Sequence, residues 1–130
     1  MLVIDASTAI TAASSPGGFL RLAGDQLIAP PLLWSEATSA IRENLFRGAI
    51  SAELAARSLE ELWQAPIEPR RPGALYRNAW EIATELGWAK TYDAEYIALA
   101  RIEECRLLTL DARLRRGAAH LVRIVGPTEL

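Results

Sequence analysis

The sequence has very few of the residues that build disulfides, zinc sites and catalytic triads. Its 130 residues include one cysteine, Cys105, and one histidine, His120. A single cysteine excludes an intrachain disulfide and is typical of a reducing compartment, and structural zinc sites need several Cys or His ligands. Nothing near His120 indicates a nucleophile for a triad. We therefore expect both residues to be structural.

Long uncharged stretches are also absent. The longest is residues 6–20, which include serines, a proline and two glycines, whereas a membrane-spanning helix needs about 20 apolar residues. The first five residues lack the basic start of a signal peptide. Because 51% of the residues are hydrophobic and 23% are charged, a disordered or fibrous chain is excluded. We expect one soluble, cytoplasmic domain over residues 1–130.

Lysine is nearly missing as well. The cations are 13 arginines and Lys90, and the formal net charge is −2, which argues against bulk attraction to nucleic acid. Two groups of arginines stand close together in the sequence: Arg113, Arg115 and Arg116, and Arg70, Arg71 and Arg77. A solvated surface is the favoured interpretation of both groups, over a phosphate-binding patch.

What the chain does have is an alternation of short β-rich runs with amphipathic helices. The pattern predicts strands over residues 2–4, 26–29, 65–68, 106–110 and 121–125, and a polar turn directly after the first. It predicts helices over residues 32–46, 51–63, 75–86 and 111–116, and one that begins at Asp93. Strands separated by helices indicate a parallel sheet in a three-layer α/β/α sandwich, where ligands bind beyond the carboxyl ends of the strands.

Several acids fall at that edge. Asp5 ends the first predicted strand, Asp111 ends the 106–110 strand, and Asp93 begins a helix. Glu36 lies at the border of the apolar face of its helix, whereas Asp25 has the character of an ordinary turn residue. Each aspartate also has a structural interpretation, because Asp is a common helix N-cap. Taken singly, the acids leave both interpretations open.

The sequence around these acids resembles the PIN-domain family, and most closely the VapC-like toxins of bacterial toxin–antitoxin pairs. The similarity extends from Met1 to about Val125 and rests on four segments in family order, of which the third is the most specific. These are residues 2–7 (LVIDAS), 35–40 (SEATSA), 92–100 (YDAEYIALA) and 108–114 (LTLDARL).

The resemblance implies an α/β/α sandwich and a Mg²⁺- or Mn²⁺-dependent endoribonuclease. The family's acidic quartet, which is both catalytic and metal-binding, matches Asp5, Glu36, Asp93 and Asp111, and the hydroxyls near the metal match Ser7 and Thr109. We interpret Asp5 and Asp93 as the principal ligands, at a partly exposed edge. Glu36 and Asp111 would act through water, hold a second ion or orient the attacking water.

Rival functions fit the same residues less well. A metal-dependent phosphatase would have Asp-x-Asp after the first strand, but Ala6 and Ser7 follow Asp5. A receiver-like phosphoacceptor would have a lysine near its acids, and the only lysine here is Lys90, two residues before Tyr92. A nucleotide-binding module would have a glycine-rich phosphate loop. A catalytically silent protein-binding module of the same fold is the alternative from another class, and the intact acids speak against it.

The resemblance also implies partners. Such toxins form homodimers and are inhibited by a small antitoxin. We expect single-stranded or loop RNA as the substrate, because its splayed phosphates can reach a shallow site at the sheet edge. No aromatic RNA-recognition motif is present, so we expect recognition to rest on backbone and shape. Four tryptophans stand in a small domain: Trp34, Trp63, Trp80 and Trp88. Because tryptophan is enriched in interfaces, we expect some of them to face another protein.

Overall fold

A five-stranded parallel sheet forms the centre of the computed structural model, which describes residues 1–130. Its strands are β1 (Leu2–Ile4), β2 (Leu27–Ala29), β3 (Ile67–Pro69), β4 (Arg106–Leu108) and β5 (Ile124–Val125). They lie in the order β3-β2-β1-β4-β5, and every neighbouring pair is parallel. The α/β architecture predicted from the sequence is therefore confirmed.

Six α-helices connect these strands. They are α1 (Ala6–Ala13), α2 (Leu32–Phe46), α3 (Ala52–Trp63), α4 (Leu75–Leu86), α5 (Tyr92–Ile102) and α6 (Ala112–Ala118). Helices α1, α2 and α3 pack against one another, while α4 packs on α5 and α5 crosses β1 and β4. Right-handed crossovers place the α1–α3 layer and the α4–α5 layer on opposite faces of the sheet.

The strand order creates a switch point between β1 and β4. The chain winds outward from β1 through β2 to β3, and then returns across the sheet to place β4 on the other side of β1. Connections leave the two adjacent strands in opposite directions there, which opens a crevice at their carboxyl ends. Asp5 follows β1 directly, and Thr109 follows β4. The fold thus brings both segments to the edge where ligands bind.

Helix α5 is the most deeply buried helix. All of its residues from Ala94 to Ala100 are buried, whereas α4 shows a conventional amphipathic pattern with Leu75, Ala79 and Ile82 inward. A helix that is buried on nearly every side is held firmly by its surroundings. The first turn of α5 therefore offers a rigid support for side chains at the carboxyl edge.

The local predictions were right for most elements and wrong for a few. Helices α2 and α4 have the predicted bounds, but the polar turn expected after β1 is helix α1. Strand β4 ends at Leu108 and β5 contains only two residues, both shorter than predicted. Helix α6 continues through Gly117 to Ala118, and α5 begins at Tyr92, one residue before Asp93. No helix is long and apolar enough to cross a bilayer.

Candidate active site

Asp5 is a buried carboxylate that joins two strands. Its side chain is 5% exposed, so the partly exposed position expected from the sequence is wrong. Its Oδ1 accepts hydrogen bonds from Ser7 Oγ at 2.7 Å and from the backbone N–H of Thr8 at 3.0 Å, which caps α1. Its Oδ2 accepts from Thr109 Oγ1 at the end of β4. These bonds fix the carboxylate in one orientation.

Ser7 and Thr109 link the two strand ends further. The backbone N–H of Leu110 donates to Ser7 Oγ at 3.3 Å, and that of Asp111 donates to Thr109 Oγ1 at 2.9 Å. Each hydroxyl thus accepts from the β4–α6 connection while it donates to Asp5. If Asp5 binds a metal, such partners would orient its carboxylate.

One carboxylate oxygen of Asp111 caps a helix, and the other oxygen accepts no hydrogen bond. Its Oδ1 accepts from the backbone N–H groups of Arg113 and Leu114, at 2.9 and 3.3 Å, and so caps α6. Its Oδ2 makes only an ion pair with the guanidinium of Arg113 at 3.6 Å. The structural and functional interpretations of this aspartate are therefore compatible, because capping uses one of its two oxygens.

Glu36 comes from α2 and is held by a partner on α5. The hydroxyl of Tyr96 donates to Glu36 Oε1 at 2.7 Å, and Tyr96 is almost completely buried. Burial raises the pKa of Glu36, and the negative charges of Asp93 and Asp5 raise it further, against the lowering effect of the Tyr96 bond. The pKa of Tyr96 is also raised, by burial and by its bond to Glu36, so its hydroxyl stays a donor.

Of the four acids, Asp93 has the carboxylate with the fewest contacts to the rest of the protein. It is the second residue of α5 and does not cap that helix, because the N-cap position belongs to Thr91. Partial burial of its carboxyl raises its pKa, and the charges of Asp111 and Asp5 raise it further, while Arg113 lowers it. The four predicted acids come from four separate segments of the chain. They lie close enough together that the charges of neighbouring acids raise the pKa values of Glu36 and Asp93.

An open cavity of about 610 Å³ gives access to three of the four acids, whereas the buried Asp5 does not line it. Glu36, Asp93 and Asp111 line it together with Lys90, Tyr92 and Arg113. A larger cavity of about 1040 Å³ lies between the loop after α1 and helix α3, and none of the four acids lines it. We assign chemistry to the smaller cavity, because the charge that a reaction needs is found there.

The donor set fits a hard divalent cation. All four acids offer oxygen ligands, and like-charge repulsion among them is relieved by a bound cation. No group of three or more His, Cys, Asp or Glu side chains is arranged to hold one ion directly. A divalent ion bound here would therefore contact at most two of these carboxylates directly and would complete its coordination with water.

Sequence reasoning missed two residues next to the quartet. Tyr96 lies three positions after Asp93, on the same side of α5, and this spacing was a signal that could have identified it. Glu95 is 8% exposed, and its pKa is raised first by burial and then by the charge of Glu36. An acid inside the apolar run of α5 was the available signal for Glu95.

Asp25 lies at the opposite edge of the sheet, where it pairs with Arg106.

The two singular residues lie outside the site, as expected. Cys105 packs against the edge of the core, and His120 is exposed. Neither of them lines the cavity that contains the acids.

Two known proteins are similar to this chain over most of its length. VapC ribonuclease Mb0985 of Mycobacterium bovis and Ribonuclease VapC9 of Mycobacterium tuberculosis are each 36% identical to this chain over 116 residues, which is 88% of this chain and 88% of each relative. This identity over most of both chains shows that the chain and these relatives belong to one family.

Solved structures share the fold at lower identity. The crystal structure of PAE2754 from Pyrobaculum aerophilum superposes with a TM-score of 0.75 at 21% identity, over 98% of this chain and 91% of that one. FitAB bound to an IR36 DNA fragment gives a TM-score of 0.65 at 14% identity, over 100% of this chain and 97% of that one. The PIN domain family model matches residues 2–119. The chain therefore belongs to the PIN domain family.

Proposed function

We propose that this chain, as one PIN domain over residues 1–130, is a divalent-metal-dependent endoribonuclease and the toxin of a VapBC-like toxin–antitoxin pair. The observation that carries the proposal is the convergence of Asp5, Glu36, Asp93 and Asp111 from four elements at the switch point of the sheet. The relatives that are 36% identical are named as ribonucleases, which gives the substrate class. A cytoplasmic location is part of the same proposal.

Each acid has a role in this proposal. Asp5 and Asp93 would be the principal ligands of Mg²⁺ or Mn²⁺, and Glu36 and Asp111 would act through water, hold a second ion or orient the attacking water. When bound, the ion neutralises phosphate charge and lowers the pKa of water. Ser7 and Thr109 hold the carboxylate of Asp5 in place, and Tyr96 holds that of Glu36.

The direct test is incubation of the purified chain with a panel of single-stranded and structured RNAs, with and without Mg²⁺. Cleavage that requires the metal and favours single strands or loops supports the proposal. Absence of cleavage on every RNA, by protein freed of any inhibitor, would instead favour the silent protein-binding module.

Metal binding has a separate thermal signature. Because the ion relieves repulsion among the acids, millimolar Mg²⁺ or Mn²⁺ is expected to raise the melting temperature. A ligand at 100 times its dissociation constant stabilises the native state by about 2.7 kcal/mol, which a thermal scan detects. Asp25→Asn is the matched control, since Asp25 lies at the opposite edge, and it should leave the response unchanged. A melting temperature that does not respond to metal would contradict a preformed site.

We further propose a homodimer and an inhibitory antitoxin. Trp63 and Trp80 are exposed, along with Phe46 and Tyr76, and exposed aromatic side chains are typical of protein interfaces. An antitoxin arginine placed among the four carboxylates would compete with the metal for the same oxygens. The chain should then form a dimer and arrest growth when expressed alone, and co-expression of an adjacent small reading frame should restore growth. A harmless monomer would contradict both partner proposals.

A further inference from the structure

Cations and an aromatic ring share the cavity with the acids, and the proposed metal chemistry gives them no role. Lys90 is exposed in the connection between α4 and α5, Tyr92 is the first residue of α5, and Arg113 lies in the first turn of α6. All three line the same cavity as Glu36, Asp93 and Asp111. The cavity therefore contains three acidic side chains together with two positive charges and one aromatic ring.

We propose that Lys90 and Arg113 bind backbone phosphates of a single-stranded RNA and that Tyr92 stacks on a base beside the bond to be cleaved. We call these three residues the RNA wall. The inference rests on the proposed ribonuclease function and deepens it, because it names the residues that position the substrate.

The two cations of the RNA wall are free to bind phosphate. Lys90 is the only lysine of the chain, and it takes part in none of its ion pairs. Arg113 has an 84% exposed side chain and one ion pair, at 3.6 Å from Asp111 Oδ2. Exposed pairs of this length are weak, so the guanidinium can turn to a phosphate without a large loss.

Two arginines of the groups seen in the sequence are more firmly engaged, and Arg116, which makes no ion pair, does not line the cavity. Arg70 bridges Glu68 and Glu103, the second at 2.8 Å, and Arg115 pairs with Glu129. Arg113 is therefore the member of its sequence group that combines a position at the acids with a weakly held side chain. The solvated-surface interpretation of the whole group does not account for that position.

Tyr92 offers an unused ring face. It is 51% exposed, lies outside the hydrophobic core, and its hydroxyl makes no hydrogen bond within the protein. Trp88, the other ring of the cavity, packs toward Gly117, where an added Cβ would lie 3.3 Å from the indole Cζ2. Trp88 is thus a packed part of the cavity lining, whereas the ring of Tyr92 is available to a ligand.

This combination favours a single strand over a duplex. The acids repel RNA, so a strand that reaches them needs nearby cations to compensate the phosphate charge. A ring can stack on a base only if that base is unstacked from its neighbours, as in single strands and loops. A ring next to Asp93 in sequence and two cations in the same cavity therefore match a short single-stranded segment.

Direct binding tests the RNA wall without relying on cleavage. In an Asp93→Asn parent, which prevents cleavage, affinity for a short fluorescent single-stranded RNA is measured by anisotropy over a series of salt concentrations. Lys90→Gln and Arg113→Gln should each weaken binding and reduce the slope of log affinity against log salt by about 0.7, the value for one phosphate contact on a single strand. Arg116→Gln, on the same helix but outside the cavity, is the matched control and should change neither.

Stacking has its own pair of variants. Tyr92→Ala should weaken binding by about 5- to 150-fold, whereas Tyr92→Phe should retain it because the ring is kept. With the native Asp93 restored, Lys90→Gln and Tyr92→Ala should raise KM for RNA cleavage more than they lower kcat. Arg113→Gln should change both constants, because Arg113 also pairs with Asp111.

The outcomes separate the two proposals. If Lys90→Gln and Arg113→Gln keep the parent's salt slope while the native chain cleaves RNA, the RNA wall is wrong and the ribonuclease function stands. If the native chain cleaves no RNA but the variants lose binding as described, the function is wrong and the binding surface stands. If the parent binds no RNA, or if Tyr92→Phe binds as weakly as Tyr92→Ala, the inference is overturned.

Discussion

Asp93→Asn is expected to lower metal-dependent RNA cleavage by about 100-fold or more. Loss of an outer partner of a metal ligand typically costs about 10- to 100-fold, so loss of a ligand itself should cost at least the upper part of that range. The asparagine keeps the size of the side chain and removes its charge. Initial rates of cleavage at saturating Mg²⁺, compared with those of Asp25→Asn, provide the measurement.

The same variant should not weaken the metal-free protein, and this separates loss of chemistry from loss of fold. Partial burial and the charges of Asp111 and Asp5 raise the pKa of Asp93. An acid whose pKa is higher in the folded than in the unfolded state destabilises the fold as pH rises through that folded-state pKa. The neutral amide removes this cost at neutral pH.

We therefore expect Asp93→Asn to melt at the same temperature as the native chain or slightly above it when a chelator is present, and to lose the rise caused by Mg²⁺. Cleavage at the native rate in this variant would show that Asp93 is not a metal ligand. A large fall in its metal-free melting temperature would show that Asp93 supports the fold instead.

Much of the fold and of the quartet follows from local patterns. Apolar runs such as residues 2–4 and the spacing of Leu75, Ala79 and Ile82 are enough to indicate strands and helices. Once the sheet is parallel, acids that follow strands must meet at one edge. The positions of Asp5 and Asp111 are predictable for that reason, because they depend on topology rather than on detailed packing.

Other features depend on tertiary contacts that a single sequence does not contain. Helix α1 is short and combines four alanines with Ser7, Thr8 and Thr11, which are weaker helix formers. It is stabilised by the Asp5 cap and by burial of Ala6, Thr8 and Ala9. The bond from Tyr96 to Glu36 joins residues 60 positions apart. The burial of Asp5 likewise depends on Thr109, which is distant in sequence and adjacent only across β1 and β4.

Asp5→Asn should also lower cleavage by about 100-fold or more, but with a different effect on stability. In the native protein both oxygens of the buried carboxylate accept hydrogen bonds, and Oδ2 accepts from Thr109 Oγ1. The amide turns a donor toward a hydroxyl that must then stop donating, so a charge-assisted bond worth about 1.5–3 kcal/mol is lost. We expect the melting temperature to fall by about 4–12 °C, with or without metal.

Asp111→Asn is the matched control for this prediction, because Asp111 is also a helix N-cap at the same edge of the sheet. Asn caps helices about as well as Asp, and the second oxygen of Asp111 makes only the long pair with Arg113. Asp111→Asn should therefore melt close to the native temperature while cleavage falls. Equal melting temperatures for Asp5→Asn and Asp111→Asn would mean that the bond from Thr109 contributes nothing to the fold, and that the rigidity of Asp5 comes from the cap of α1 alone.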